Sequence, residues 1–187
     1  MDRLGFQDKV TGSIESSKDN SSGFKIYSTW DFECYDKHGN LKWEENNRPN
    51  ICTHEGLDKL LNVMFDNVAA IATWYVALVN TDTSAAATMT YATPVYTEDT
   101  DYTEAVRQTY DGTVSSQVIT NSASKATFTI DTGGQTLYGA SLVSSNVKGD
   151  TAAAGAVLFC YSKFSAGKAV ESGDTFKVTI AITAAHA

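Results

Sequence analysis

Three observations predict a mainly β fold with one helix: an antiparallel β-sandwich or jelly-roll-like domain with an N-terminal hairpin and an extended arm. Apolar and polar residues alternate near both ends of the chain, at Trp30, Phe32 and Cys34 and again at Phe176, Val178, Ile180 and Ile182. That is the period of a strand with one buried face. The clusters Asp131-Thr132-Gly133-Gly134, Lys148-Gly149-Asp150 and Ser172-Gly173-Asp174 supply turns that cut the second half into short pieces. Leu57, Leu60, Leu61, Met64 and Phe65 follow the i, i+3, i+4, i+7, i+8 spacing of a helix face. Roughly 40 Ser and Thr residues strengthen the β bias.

Residues 1–23 are expected to form an extended or disordered N-terminal arm. The isolated apolar residues Leu4, Phe6, Val10 and Ile14 cannot bury enough surface to order it alone, so it either stays loose or orders on a partner. Residues 24–187 are expected to form a single β-rich domain, a length that suits one core. A hairpin comes first, with its turn at Lys37-His38-Gly39-Asn40 and its second strand around Leu41-Lys42-Trp43-Glu44. A helix follows at about 54–66, with Thr53 as N-cap and Glu55 at the positive end of the dipole. Gly56 is a cost to that helix, and the apolar stripe is its packing face, plugging one end or side of a sheet. Residues 73–79 read as a strand buried on both faces, and 80–112 as a long polar loop, functional or partly structured. Further strands are expected at 116–120, 126–131, 136–143 and 155–164, before the alternating strand that ends the chain.

Hydrophobic residues at 42%, charged residues at 19% and only 2 Pro describe a chain that folds. A net charge of -8 repels phosphate and argues against nucleic-acid binding. No apolar run approaches the ~20 residues of a membrane span, so no membrane partner is expected. Met1-Asp2-Arg3-Leu4-Gly5 lacks the features of a signal peptide, which implies synthesis and folding in the cytosol. Cys34, Cys52 and Cys160 are odd in number and far apart, and read as small buried apolar side chains.

The chain carries little of the chemistry of an enzyme, and none is expected. A Ser or Cys nucleophile needs a base and an orienting group, and the three histidines are His38 in a turn, His54 beside Cys52, and His186 near the end. Cys52 and His54 alone do not make a zinc site. Glu98, Asp99, Asp101 and Glu104 are a hard-ligand cluster without EF-hand spacing, and read as a solvated acidic loop. Paired carboxylates for glycoside hydrolysis need a geometry that sequence does not display. Trp30 and Trp74 sit in core-type strand patterns, whereas Trp43 is the tryptophan least committed to burial. Neither a metal nor a cofactor is expected.

Two stretches carry a resemblance. Trp43-Glu44-Glu45-Asn46-Asn47-Arg48-Pro49-Asn50-Ile51-Cys52-Thr53-His54-Glu55-Gly56-Leu57, with the turn His38-Gly39-Asn40 before it, resembles a pattern in tailed-bacteriophage virion proteins. There, two strands joined by a Gly turn lead through Asn, an apolar residue and Thr to Gly-Leu at the start of a helix. A strand like Trp74-Tyr75-Val76-Ala77-Leu78 follows it. The second stretch is Val157-Leu158-Phe159-Cys160-Tyr161-Ser162-Lys163-Phe164, then a short basic-aromatic turn, then Gly173-Asp174-Thr175-Phe176-Lys177-Val178. The likeness covers roughly residues 24–187 in order of elements, through degenerate motifs that transfer no functional residue. Fibre modules often carry a Glu-x-Gly-Leu-type strand where this chain has Leu137-Tyr138-Gly139-Ala140-Ser141-Leu142, which sets it apart from them.

The resemblance implies a virion structural protein on the exterior of the head, assembled in the host cytoplasm. It would be a capsid decoration or cement protein that binds the major capsid protein and reinforces capsomer contacts, as a homo-oligomer. Leu4, Phe6, Val10 and Ile14 would be the capsid-binding positions of its arm. The alternative is a tail fibre or baseplate module that recognises a host glycan or protein, with an exposed aromatic site in the 80–112 loop.

Overall fold

The computed structural model describes residues 23–186. Its elements in chain order are β1 (Phe24–Tyr35), β2 (Leu41–Arg48), β3 (Asn50–Cys52), α1 (His54–Phe65), β4 (Trp74–Val79), β5 (Glu98–Asp99) and β6 (Gln108–Tyr110). Then come β7 (Thr113–Ser115), β8 (Val118–Thr120), β9 (Ala126–Thr129), β10 (Gln135–Val143), β11 (Leu158–Val170) and β12 (Thr175–His186). All pairings between these strands are antiparallel, in two six-stranded sheets packed face to face as a β-sandwich.

The first and last strands close the first sheet. β1 pairs with β12 in unbroken register from Phe24↔His186 to Tyr35↔Thr175, and the order is β2-β1-β12-β8-β7 with β9 also on β12. Alternation fixes the faces: Trp30, Phe32, Cys34, Phe176, Val178 and Ile180 are fully buried, while Glu33 and Lys177 lie opposite one another on the outer face. The hairpin turn forms as its residues demand. Gly39 takes φ +84°, and the Asp36 carboxylate accepts the amides of His38 (2.8 Å) and Asn40 (2.9 Å). Ser116 and Gln117, at φ 47° and 64°, turn β7 into β8, so the strand expected over 116–120 is confined to Val118–Thr120 and pairs with a strand before it that was not expected.

The second sheet runs β3-β11-β10-β4-β5, with β6 also on β4. Between the sheets, Phe32 stacks on Phe176 at 6.0 Å and meets Phe164 edge-on at 4.7 Å. Each such ring stabilises the fold by about 1.5–3 kcal/mol through burial. Trp43 is half-buried at the edge of this core, 5.5 Å from Phe176, and its indole N–H donates to the Ala169 carbonyl. A second apolar cluster covers the outer face of this sheet, where Ala77, Val79, Val143, Leu158 and Tyr161 lie under Met89 and Tyr91. β4 is therefore buried on both faces, as its unbroken apolar run implied.

Two expectations are corrected. β11 does not stop near Phe164 in a basic-aromatic turn; it continues to Val170. Glu45 on β2 holds it there, accepting the Ser165 amide (3.0 Å) and pairing with Lys168 Nζ (2.9 Å) and Arg48 Nε (3.1 Å). Burial works against the Glu45 charge, but the Ser165 and Lys168 contacts prevail and set its carboxyl below the usual range.

The second correction concerns the acids at 98–104, which do not form one solvated acidic loop. Arg107 is 3% exposed, and all five of its N–H groups find acceptors. They reach both Glu98 oxygens (2.8 and 2.5 Å), the Tyr91 hydroxyl (3.0 Å), and the carbonyls of Ser145 and Asp150 (2.9 Å each). Asp99 is buried in β5, Asp101 accepts from Gln135 Nε2 (2.6 Å), and Glu104 accepts the Thr129 amide (3.1 Å). The four acids of the expected ligand cluster thus serve four separate tasks. Burial, then the neighbouring charges of Asp101 and Glu98, push the Asp99 carboxyl up, although it accepts the Asp101 amide.

Candidate interaction surface

The N-terminus of α1 is built as its sequence asks. Thr53 is extended and accepts the Gly56 amide (2.9 Å) while its hydroxyl donates to the Leu158 carbonyl. Glu55 does more than face the helix dipole. Its carboxylate accepts the amides of Tyr91 (2.8 Å) and Leu158 (2.7 Å), stitching the helix to β11 and to the covering segment.

The side of α1 that meets the sandwich is not the predicted stripe. Gly56 is the one buried residue of the helix, and a Cβ there would stand 2.6 Å from the Phe159 carbonyl oxygen. The glycine that looked like a cost is the contact point that lets α1 lie against β11. Leu60 and Val63 follow Gly56 at i+4 and i+7 and complete the inward face. The predicted stripe is rotated outward by about one residue, roughly 100° of helix. Only Leu60 of it packs on the core, whereas Leu57, Leu61, Met64 and Phe65 are 37%, 51%, 64% and 78% exposed.

These side chains form an apolar ridge, extended by the exposed Val68. Behind it lies an apolar groove of about 270 Å³, lined by Ile26, Leu60, Val63, Ile71, Trp74 and Ile182. The groove opens where the ends of both sheets meet α1. Lys59 borders it and donates to the Ala69 carbonyl (3.0 Å), holding the segment after the helix in place. The described residues begin at Gly23, three positions before Ile26, which lines this groove. Contiguous exposed apolar side chains of this kind mark contact surfaces in soluble proteins.

The capsid-binding positions expected in the arm, Leu4, Phe6, Val10 and Ile14, lie outside the described residues. His38 and His54 are exposed, in the hairpin turn and at the start of α1, and His186 ends β12. Among the described residues, no group of three or more His, Cys, Asp or Glu side chains is placed to hold a metal ion. Among the described residues, no helix is long and apolar enough to cross a membrane. The aromatics of 80–112 point inward: Tyr91, Tyr102 and Tyr110 are 4%, 3% and 8% exposed, and the half-buried Tyr96 donates to Ser141 (2.7 Å). Cys34 and Cys160 are buried as expected, and Cys52 is only partly buried, on the edge strand β3. Comparison with family models, curated proteins and solved structures finds no match.

Sequence reasoning missed the ridge because periodicity finds an apolar face without saying which way it turns. It missed the Arg107 clasp as well. The available signal was one arginine among the six acids of 80–112.

Proposed function

We propose that this chain is a structural component of a tailed-phage virion, a decoration or cement protein on the outside of the head. It reinforces capsomer contacts by seating the α1 ridge on the major capsid protein. The observation that carries this reading is the ridge itself. Leu57, Leu61, Met64 and Phe65 are displayed on a helix whose other side is fixed to β11 through Gly56, Thr53 and Glu55. Such pre-organised apolar side chains bind at small entropic cost. The negative surface keeps unassembled chains apart. The arm at residues 1–23 supplies a second contact. The tail-fibre alternative is disfavoured, because the aromatics it required in 80–112 are turned into the fold.

The test is co-sedimentation of the purified chain with head and tail fractions of virions that carry it. Binding to heads is expected, weakened roughly tenfold or more by each of Leu61→Asp and Phe65→Asp. Deleting residues 2–23 is expected to leave the fold intact and also to weaken head binding. Association with tails, or head binding indifferent to both ridge substitutions, would contradict the proposal.

A further inference from the structure

β3 is a three-residue edge strand, and its Cys52 stands directly opposite Cys160 of β11. One position along, the Thr53 amide donates to the Phe159 carbonyl at 3.0 Å. That makes Thr53 and Phe159 a hydrogen-bonded pair, so Cys52 and Cys160 occupy the adjacent non-hydrogen-bonded pair. In such a pair the two side chains share a face and the Cα atoms approach to about 4.5 Å, within the roughly 4.4–6.8 Å that a disulfide spans. The two residues differ in burial: Cys52 is partly buried on the edge strand, while Cys160 is fully buried. Both are free thiols.

We propose that Cys52 and Cys160 form a two-cysteine redox site that a peroxide closes to a cross-strand disulfide, locking α1 to the second sheet. The thiols differ in reactivity as well as burial. A hydrogen bond from Cys160 outweighs burial and, with the Asn50 amide N–H 3.6 Å from its sulfur, brings the Cys52 thiol down to about 7. Cys160 is pushed up by burial and by Cys52, so it stays protonated. Cys52 is therefore the attacking sulfur and Cys160 the resolving one.

With hydrogen peroxide, the Cys52 thiolate attacks one oxygen and the O–O bond breaks. This gives a sulfenic acid and a hydroxide, which takes up the proton Cys52 had released. The Cys160 sulfur then attacks the Cys52 sulfur and the S–O bond breaks, with the hydroxyl leaving as water with the Cys160 proton. Two thiols lose two electrons, and one peroxide becomes two waters. In a glutathione-type reducing medium the site stays open; in an oxidising one it closes. The bond would join the residue before the α1 N-cap to a central strand across a long loop of chain. This inference stands whether or not α1 meets a capsid.

The experiment is peptide mapping by mass spectrometry under non-reducing conditions, on the full chain treated with hydrogen peroxide, together with its Tm. Expected are a peptide linking Cys52 to Cys160 and a rise in Tm of roughly 5–15 °C, both reversed by dithiothreitol. Cys34, buried on β1 with its thiol pushed up to about 12 by burial and by Asp174, should remain a free thiol. Cys160→Ser, which keeps a hydroxyl to donate to Cys52 but cannot resolve it, is expected to leave a sulfenic acid on Cys52 that dimedone traps. An unreactive Cys52, or wild-type Cys52 over-oxidised without a linked peptide, would overturn the site. A linked peptide with no rise in Tm would overturn its locking role.

Discussion

Two pieces of chain lie against the outside of this sandwich, and their composition and their burial run in opposite directions. Segment 80–112 is polar and carries six acids, yet its Arg107, Glu98 and Asp99 are among the best-buried charged groups of the described residues. Helix α1 is apolar along one side, yet that side faces outward and a glycine makes the close contact. What decides burial is whether each group finds its partners. Arg107 is fully satisfied, so it costs little to bury; the ridge has no covering element among the described residues, so it remains a surface.

The largest expected break in this contrast is Arg107→Ala. It leaves Glu98 buried and uncompensated, which should cost about 3–5 kcal/mol in denaturant unfolding. Proteolysis is expected to cut first within 80–112. Gly56→Ala comes next. By helix propensity alone alanine would stabilise by about 1 kcal/mol. A Cβ 2.6 Å from a backbone oxygen must instead lift α1, for a net loss of about 1–3 kcal/mol in the same assay.

A smaller effect separates Asp99 from the other acids. Its folded pKa is raised, so the folded state holds that proton more tightly than the unfolded one. The stabilisation this gives is complete below the unfolded value and is lost as pH rises through the folded one. Glu33 and Glu45 behave oppositely. Their lowered values give stability that is present above the unfolded pKa and lost as pH falls through the folded one. Stability measured against pH for wild type and Asp99→Asn should therefore diverge on the alkaline side of the ordinary Asp range, in favour of the variant. Curves that stay parallel would place the Asp99 charge in a solvated environment. The smallest effect is that of Phe65→Ser, within about 0.5 kcal/mol of wild type, because a side chain 78% exposed contributes little to the isolated fold.

Local pattern carried much of the fold. The alternation at Trp30–Cys34 and Phe176–Ile182 named the buried faces of β1 and β12, and Thr53 named the start of α1. What stayed hidden depended on partners distant in sequence. Glu98 and Arg107 are nine residues apart, but the Ser145 and Asp150 carbonyls that complete the clasp come from the far side of β10. The extension of β11 depends on Glu45, 120 positions before Ser165. Gly56 read as a defect because its neighbour, the Phe159 backbone, is brought to it only by the sheet. Cys52 and Cys160 face one another for the same reason, through the β3–β11 register. The proposed surface was half legible: its four residues Leu57, Leu61, Met64 and Phe65 are plain in the sequence, and their outward turn is not.

The central claim is that the α1 ridge is the face this protein turns to its neighbour. An image reconstruction of intact virions that carry the chain tests it most directly. Expected is density for the domain on the outer head shell, with Leu57, Leu61, Met64 and Phe65 against the major capsid protein. A domain on the tail, or one on the head with α1 turned to solvent, would contradict it.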